Sequence, residues 1–232
     1  MAMKDPSRPA GTAESEPRAA DQPPPAPRAE LFQVFEIPDF EGRMSALRAQ
    51  VSPWLAHVGT ALAPSLAELV REPIYPHVAL HARRTVNPPE DTWVAFGPRA
   101  RGYKAERHFK VAVSGGALRF LFEIGPEYEE KGAWAKRWRS SAASLRPRLA
   151  SSPTLAWFEN EHQEAPASLL TELSAADFVA LADRLEKKRD GQLVLGVAIP
   201  RREALRLDGK VLAAEAGRVF GALAHGYRLA TG

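Results

Sequence analysis

The sequence predicts an α+β fold: one domain with a mostly antiparallel sheet and helices packed over one face. Two observations carry this expectation. Four strand-length apolar segments lie between residues 75 and 124, the last two joined by Gly115-Gly116, a two-residue hairpin signal. Long stretches with apolar residues at helical spacing flank them on both sides. The large side chains of the hairpin also fall on one face, which needs a covering layer.

The first thirty of the 232 residues contain seven of the chain's twenty prolines, among them Pro23, Pro24, Pro25 and Pro27, and almost no large apolar side chain. Such a segment cannot bury enough surface to offset its ordering entropy, so residues 1–30 are expected to form a disordered tail ahead of a single domain over 31–232. Phe32-Gln33-Val34-Phe35-Glu36-Ile37 reads as a short strand. Asp39 is placed to cap a helix carrying Phe40, Met44, Leu47 and Val51. Ser52-Pro53 is expected to restart that helix, with Trp54, Leu55, Val58 and Leu62 on its stripe, and Pro64 to restart it again before Leu66, Leu69 and Val70.

Strands are expected at Tyr75–Arg84, Trp93–Phe96, His108–Val113 and Ala117–Ile124. Closing the hairpin on Ser114 and Ala117 pairs Val113 with Leu118, Val111 with Phe120 and Phe109 with Phe122 on one face. The other face then pairs His108 with Glu123, Lys110 with Leu121 and Ala112 with Arg119. A basic helix follows from Lys131 to Leu145, with Trp134, Trp138, Ser141 and Leu145 inward. After a strand at Thr154–Phe158, Ser174 and Asp177 resemble a capping box for the helix of Phe178, Leu181 and Leu185, which Gly191 ends. Gln192–Ile199 reads as a buried strand. Asp208 caps the last helix, whose expected buried residues are Val211, Val219, Phe220, Leu223 and Tyr227.

Composition narrows the chemistry. With no cysteine, thiol nucleophiles, disulfides and cysteine-ligated metals are excluded. No apolar run approaches the roughly 20 residues of a membrane span, and the first residues lack the apolar core of a signal peptide, which makes the cytoplasm the expected location and a membrane no partner. The net charge of +3 conceals a basic block at 131–150, six basic residues and no acid. That helix reads either as a solvated face or as a strip for nucleic acid or acidic protein.

The densest polar segment, HARRTVNPPEDTWVAFGPRARGYKAERHFK, runs from His81 to Lys110. Asn87-Pro88-Pro89 forces an extended turn, and Gly102 allows a sharp one that presents Arg101, Tyr103 and Lys104 together. Arg83, Arg84, Arg101 and Lys104 are candidate anion ligands, Tyr103 a stacking surface, and His81, Asn87 and His108 orienting groups. This assembly would take a phosphate-bearing ligand, a nucleotide or nucleic acid, on the basic sheet face. A second reading is an enzyme acting on a small anionic metabolite, with His108 as general base oriented by Glu123. A third is a protein-interaction module whose segment is rigid for structural reasons; the segment also reads as a solvated face in which Arg83 and Arg84 pair with Glu90, Asp91 or Glu123. No cofactor motif is present, and no metal is expected: on a strand His77 and His81 would stand about 13 Å apart. Glu159, Glu161 and His162 of WFENEH read as a polar loop.

At HARRTVNPPEDTWVAF and RGYKAERHF, and again at FQVFEI with the following GRM and at LGVAIPRREALRL, the chain resembles the YktB-like family of uncharacterised bacterial proteins (UPF0637/DUF1054 type). The resemblance spans about residues 32–230 and implies a compact α+β domain of bacterial origin, with no activity attached. At WFENEHQEA the family more often looks like Trp-Ser-Gly-Asp-His; His162 matches that histidine, whereas Glu161 replaces the aspartate.

Overall fold

Seven strands form one sheet in which every hydrogen-bonded neighbour runs antiparallel, in a computed structural model describing residues 22–187 and 189–230. The strands are β1 (Tyr75–Val78), β2 (Asp91–Gly97), β3 (His108–Ser114), β4 (Ala117–Ile124), β5 (Ala156–Phe158), β6 (Ser168–Leu169) and β7 (Leu193–Pro200), in the order β1-β2-β3-β4-β7-β5-β6. The β3–β4 register is the one the hairpin signal predicts, His108 opposite Glu123 and Val113 opposite Leu118. That register sorts the side chains into two faces. Val94, Val111, Phe120 and Val197 align across four strands on one, and Trp93, Ala112, Arg119 and Ala198 on the other.

Helices cover the first face. They are α1 (Ala29–Gln33), α2 (Phe40–Ala46), α3 (Ser52–Val70), α4 (Lys131–Ala150), α5 (Ala175–Lys187), α6 (Arg201–Ala204) and α7 (Gly209–Tyr227). Phe220 of α7 meets Phe96, Phe109 and Phe120 with ring centroids 6.3, 4.9 and 5.8 Å away, and Tyr227 stacks on Phe109. Trp134 and Trp138 stack on each other and are fully buried, their indole N–H groups donating to the carbonyls of Gly226 and Phe178. They belong to the core, as their spacing implies. Asp39 and Asp208 cap α2 and α7, and Ser174 and Asp177 form a reciprocal capping box on α5. No helix among the described residues is long and apolar enough to cross a membrane.

Several expectations are corrected. FQVFEI is not a strand: Leu31, Phe32 and Val34 are buried on one side of α1 and a following 3-10 turn, and a six-residue apolar run fits either geometry until packing decides. Pro53 and Pro64 restart nothing. Pro53 sits in the first turn of α3, where its missing N–H is harmless, and Pro64 leaves unbonded only the carbonyl of solvent-exposed Thr60. A π-helical turn over Leu47–Val51 joins α2 to α3. Helix α4 likewise continues past Leu145 and through Pro147. Strand β1 ends at Val78; Leu80 is 76% exposed and His81 turns the chain with a left-handed φ of 50°. Val211 is half exposed.

The chain is packed well before residue 31. Pro24 and Pro27 are buried and the Trp54 indole donates to the Pro25 carbonyl at 2.9 Å. Of the expected tail, residues 1–21 lie outside the described residues.

Candidate functional site

The face of the sheet turned away from the helices carries charge at its centre, and three connections fold over it. These are 79–90 between β1 and β2, 98–107 between β2 and β3, and 159–167 between β5 and β6. A charged side chain on a central strand must find partners once covered, because desolvating it alone costs several kcal/mol. The partners found here define the site.

Lys110 of β3 is 2% exposed. Its ammonium pairs with Glu123 across the β3–β4 ladder and with Glu161 from the 159–167 connection, and lies 4.6 Å from the Trp93 ring centroid. Trp93 in turn donates its indole N–H to the Tyr103 hydroxyl at 2.7 Å. His108 donates from Nδ1 to the Glu106 carbonyl at 2.8 Å, which aims Nε2 at Glu123, 3.3 Å away.

Arg119 of β4 is fully buried and makes three anchoring contacts. One terminal nitrogen reaches Asp91 Oδ2 at 2.5 Å, and the other donates to the main-chain carbonyls of Glu161 and Gln163 at 2.7 and 2.8 Å. It therefore ties the start of β2 to the loop bearing Glu161 and His162. The second oxygen of Asp91 accepts from His162 Nδ1 at 2.9 Å. The His162 side chain is 43% exposed, and with Nδ1 committed to Asp91 its Nε2 makes no hydrogen bond among the described residues. His81 reaches back to Thr92 Oγ1 at 3.0 Å, and the two imidazoles flank Trp93 with centroids 5.4 and 5.9 Å from it.

These surroundings set the charge states. Burial pushes the Glu123 carboxyl up, but the Lys110 ammonium and His108 outweigh it and hold it well below the usual carboxylate range. Asp91 is shifted the same way: burial opposes, while the hydrogen bond from His162 and the Arg119 charge prevail. Both stay ionised at neutral pH. Burial lowers the Lys110 amine despite Glu123. Burial also lowers His81, with Arg84, His162 and Lys104 adding to the effect against the opposing pull of Asp91, and burial raises the Tyr103 hydroxyl to about 12.

Of the sequence-derived site residues, His81, Tyr103, His108 and Glu123 come together in this network. Arg84 and Lys104 stand at its rim, near enough to act on the His81 charge. Arg83, Asn87 and Arg101 are exposed, and their side chains make no hydrogen bond or ion pair among the described residues. Arg83 and Arg84 do not pair with Asp91 or Glu123, which Arg119 and Lys110 occupy. Tyr103 is folded onto Trp93 and edge-on to His108 at 4.9 Å instead of standing out as a stacking surface. Beside it, a hollow of about 370 Å³ is walled by Arg101, Tyr103, Lys104 and Glu127, with Arg99 held by Glu106. The basic helix α4 is partly neutralised, Arg139 pairing with Asp183 and Glu186 of α5.

Asp91, Lys110, Arg119, Glu161 and His162 complete the site. From sequence, Glu161 and His162 read as part of a polar loop, Asp91 as a partner of Arg83 and Arg84, and Lys110 and Arg119 as register positions without a role. The available signal was parity: Lys110 and Arg119 alternate with fully apolar positions in central strands, where an unpaired charge is not tolerated. Among the described residues, no three His, Asp or Glu side chains are arranged to hold a metal ion.

The model of a family described as a domain of unknown function (DUF1054) matches residues 28–227. The chain is also similar to proteins designated UPF0637. One from Bacillus licheniformis is 30% identical over 200 residues, covering 86% of this chain and 93% of the relative. Another from Lysinibacillus sphaericus is 35% identical over 176 residues, 76% and 82% of the two chains. A third, from Exiguobacterium sibiricum, is 46% identical over a shorter stretch of 84 residues, 36% of this chain and 42% of the relative.

Proposed function

We propose, for a chain that belongs to the bacterial DUF1054 family, that the polar side of the sheet binds a small phosphate-bearing ligand at the mouth formed by His81, Arg84, Lys104 and His162. The supporting observation is a division among the cations. Lys110, Arg119, Arg99 and Arg107 each face a carboxylate, whereas Arg84 and Lys104, exposed at the mouth, and Arg83 and Arg101, exposed on the flanking connections, face none among the described residues. Unpaired guanidinium and ammonium groups converging beside two imidazoles supply donors suited to phosphate oxygens. The hollow next to Tyr103 gives room for the remainder of such a ligand.

The covered sheet favours a compact ligand, a nucleotide or smaller, over a nucleic-acid strand laid across the strands, because the three connections occupy the surface such a strand would need. Titration calorimetry of the full chain with inorganic phosphate, pyrophosphate, ATP and a short single-stranded RNA, each at three salt concentrations, tests the reading. Micromolar to millimolar binding of the small anions that Arg84→Ala and Lys104→Ala each weaken about tenfold is the expected result. Retained binding in both variants overturns the assigned mouth. RNA binding with a steep salt slope and no small-anion binding overturns the compact ligand.

A further inference from the structure

One exposed imidazole is held by a buried apparatus with no other outlet. Asp91 and Arg119 are both sealed from solvent, and all of their side-chain contacts lead to His162: the carboxylate to its Nδ1, the guanidinium to that carboxylate and to the carbonyls on either side of it, Glu161 and Gln163. A buried ion pair gives little net stability over apolar packing of the same shape, so its distinctive product here is the fixed orientation of one ring. Because Asp91 is ionised and accepts from Nδ1–H, the lone pair of a neutral His162 lies on Nε2, the ring nitrogen that Asp91 does not hold. The nearest carboxylate on that side, Glu161 Oε1, stands 3.8 Å away, beyond hydrogen-bond range, with its partner oxygen committed to Lys110. Trp93 and His81 close the other side.

We propose that this mouth also hydrolyses a phosphate ester or anhydride, with His162 as the general base that activates water; the inference rests on the anion-binding reading above. Nε2 takes one proton from a water molecule while the water oxygen forms a new bond to phosphorus. The bridging P–O bond breaks, and its electron pair leaves with the departing oxygen, which is protonated by solvent. His162 returns its proton to solvent, so one water is consumed for each ester or anhydride bond cleaved. His162 is the catalytic residue, and Asp91 and Arg119 are positioning residues that fix its tautomer and the loop that carries it. Arg84 and Lys104 hold the phosphoryl oxygens.

The test uses the full chain with p-nitrophenyl phosphate, bis(p-nitrophenyl) phosphate and ATP, with and without magnesium. At least one probe is expected to turn over, with His162→Gln lowering kcat about 100-fold or more and leaving KM within about threefold. Asp91→Asn is expected to lower kcat about 10- to 100-fold and, in nitrogen-15 spectra of the imidazoles, to move His162 away from the Nδ1–H tautomer, which a purely structural carboxylate would not do. Arg84→Ala should instead raise KM. His162 is half exposed, so its substitution is compatible with folding even where Asp91→Asn is not. No turnover of any probe, or equal turnover in wild type and His162→Gln, overturns the catalytic inference. If the small anions still bind in calorimetry, the binding reading survives that failure; if turnover depends on His162 but not on Arg84 or Lys104, the inference stands and the rim assignment falls.

Discussion

Replacing Arg119 by methionine removes the keystone of the polar network at nearly constant volume. Methionine fills most of the space but leaves Asp91 as a buried carboxylate without its cation, and breaking a buried pair in this one-sided way costs about 3–5 kcal/mol. The carbonyls of Glu161 and Gln163 each lose a donor; they lie in a partly exposed loop that water can reach, so together they add about 1 kcal/mol. The expected total is about 4–6 kcal/mol, a large share of the roughly 5–15 kcal/mol that holds a domain folded. In urea, with a slope of about 2–3 kcal/mol/M, the unfolding midpoint should fall by about 2 M. Asp91→Asn in the same background removes the orphaned charge while keeping an oxygen for His162, so the double variant should recover about 2 kcal/mol. An Arg119→Met midpoint within about 0.3 M of wild type refutes the pairing, and so does a double variant as costly as the sum of the singles.

Three further outcomes follow from the same structure. The folded His81 imidazole should titrate with a midpoint below its ordinary 6.5, read from its Cε1 proton shift; the unfolded chain then takes up that proton first, so this residue's contribution to stability falls as pH drops below about 6.5. For Asp91 and Glu123, whose folded values are depressed, the stabilisation is complete above their unfolded values and is lost as pH falls through the folded ones; Asp91→Asn should therefore flatten the pH dependence of the urea midpoint below about pH 4. Gly196→Ala should cost about 3 kcal/mol, since a Cβ would stand 2.9 Å from Leu121 Cα and against the Phe120 carbonyl, while Gly217→Ala, on an open helix surface, should stabilise by about 0.5–1 kcal/mol in thermal melts.

The fold was legible in the sequence wherever periodicity and turn chemistry agree. The Gly115-Gly116 hairpin fixes the pairing of His108 with Glu123 because a two-residue loop admits one register. Asp39, Ser174, Asp177 and Asp208 mark helix starts because capping is a local hydrogen bond. Where the outcome depends on tertiary packing, the local signal is ambiguous. Leu31, Phe32 and Val34 satisfy both a strand and a short helix, and Pro64 lies in a helix whose neighbours hold it regardless of the lost bond. The site divides in the same way. His81, Tyr103, His108 and Glu123 were legible because they lie in the dense polar segment 81–110 or, for Glu123, directly across the Gly115-Gly116 hairpin from it. Asp91, Arg119 and His162 were not, since their association depends on the 159–167 connection returning across two strands to meet β4, a contact separated by more than forty residues.

The charge distribution then decides where an anion can sit. Beneath the mouth the buried network holds two fixed cations, Lys110 and Arg119, against three carboxylates, Asp91, Glu123 and Glu161, so the interior is negative by one charge before any imidazole takes a proton. At the rim Arg84 and Lys104 are exposed and make no ion pair among the described residues. On the proposed anion-binding reading, a phosphate would be attracted at the rim and repelled from the sheet, which would keep it from displacing Glu161 on Lys110. Asp91 orients the imidazole, and on that reading the buried carboxylates would also exclude the ligand from the cations that hold the sheet together. Reversing that balance tests the point. Glu161→Gln removes one negative charge while preserving an acceptor for Lys110, and should tighten pyrophosphate binding about threefold in low salt, with the gain fading as salt is raised. Weaker binding in Glu161→Gln would mean that the carboxylate contacts the ligand directly through a bridging cation, and the boundary drawn here between rim and interior would have to move.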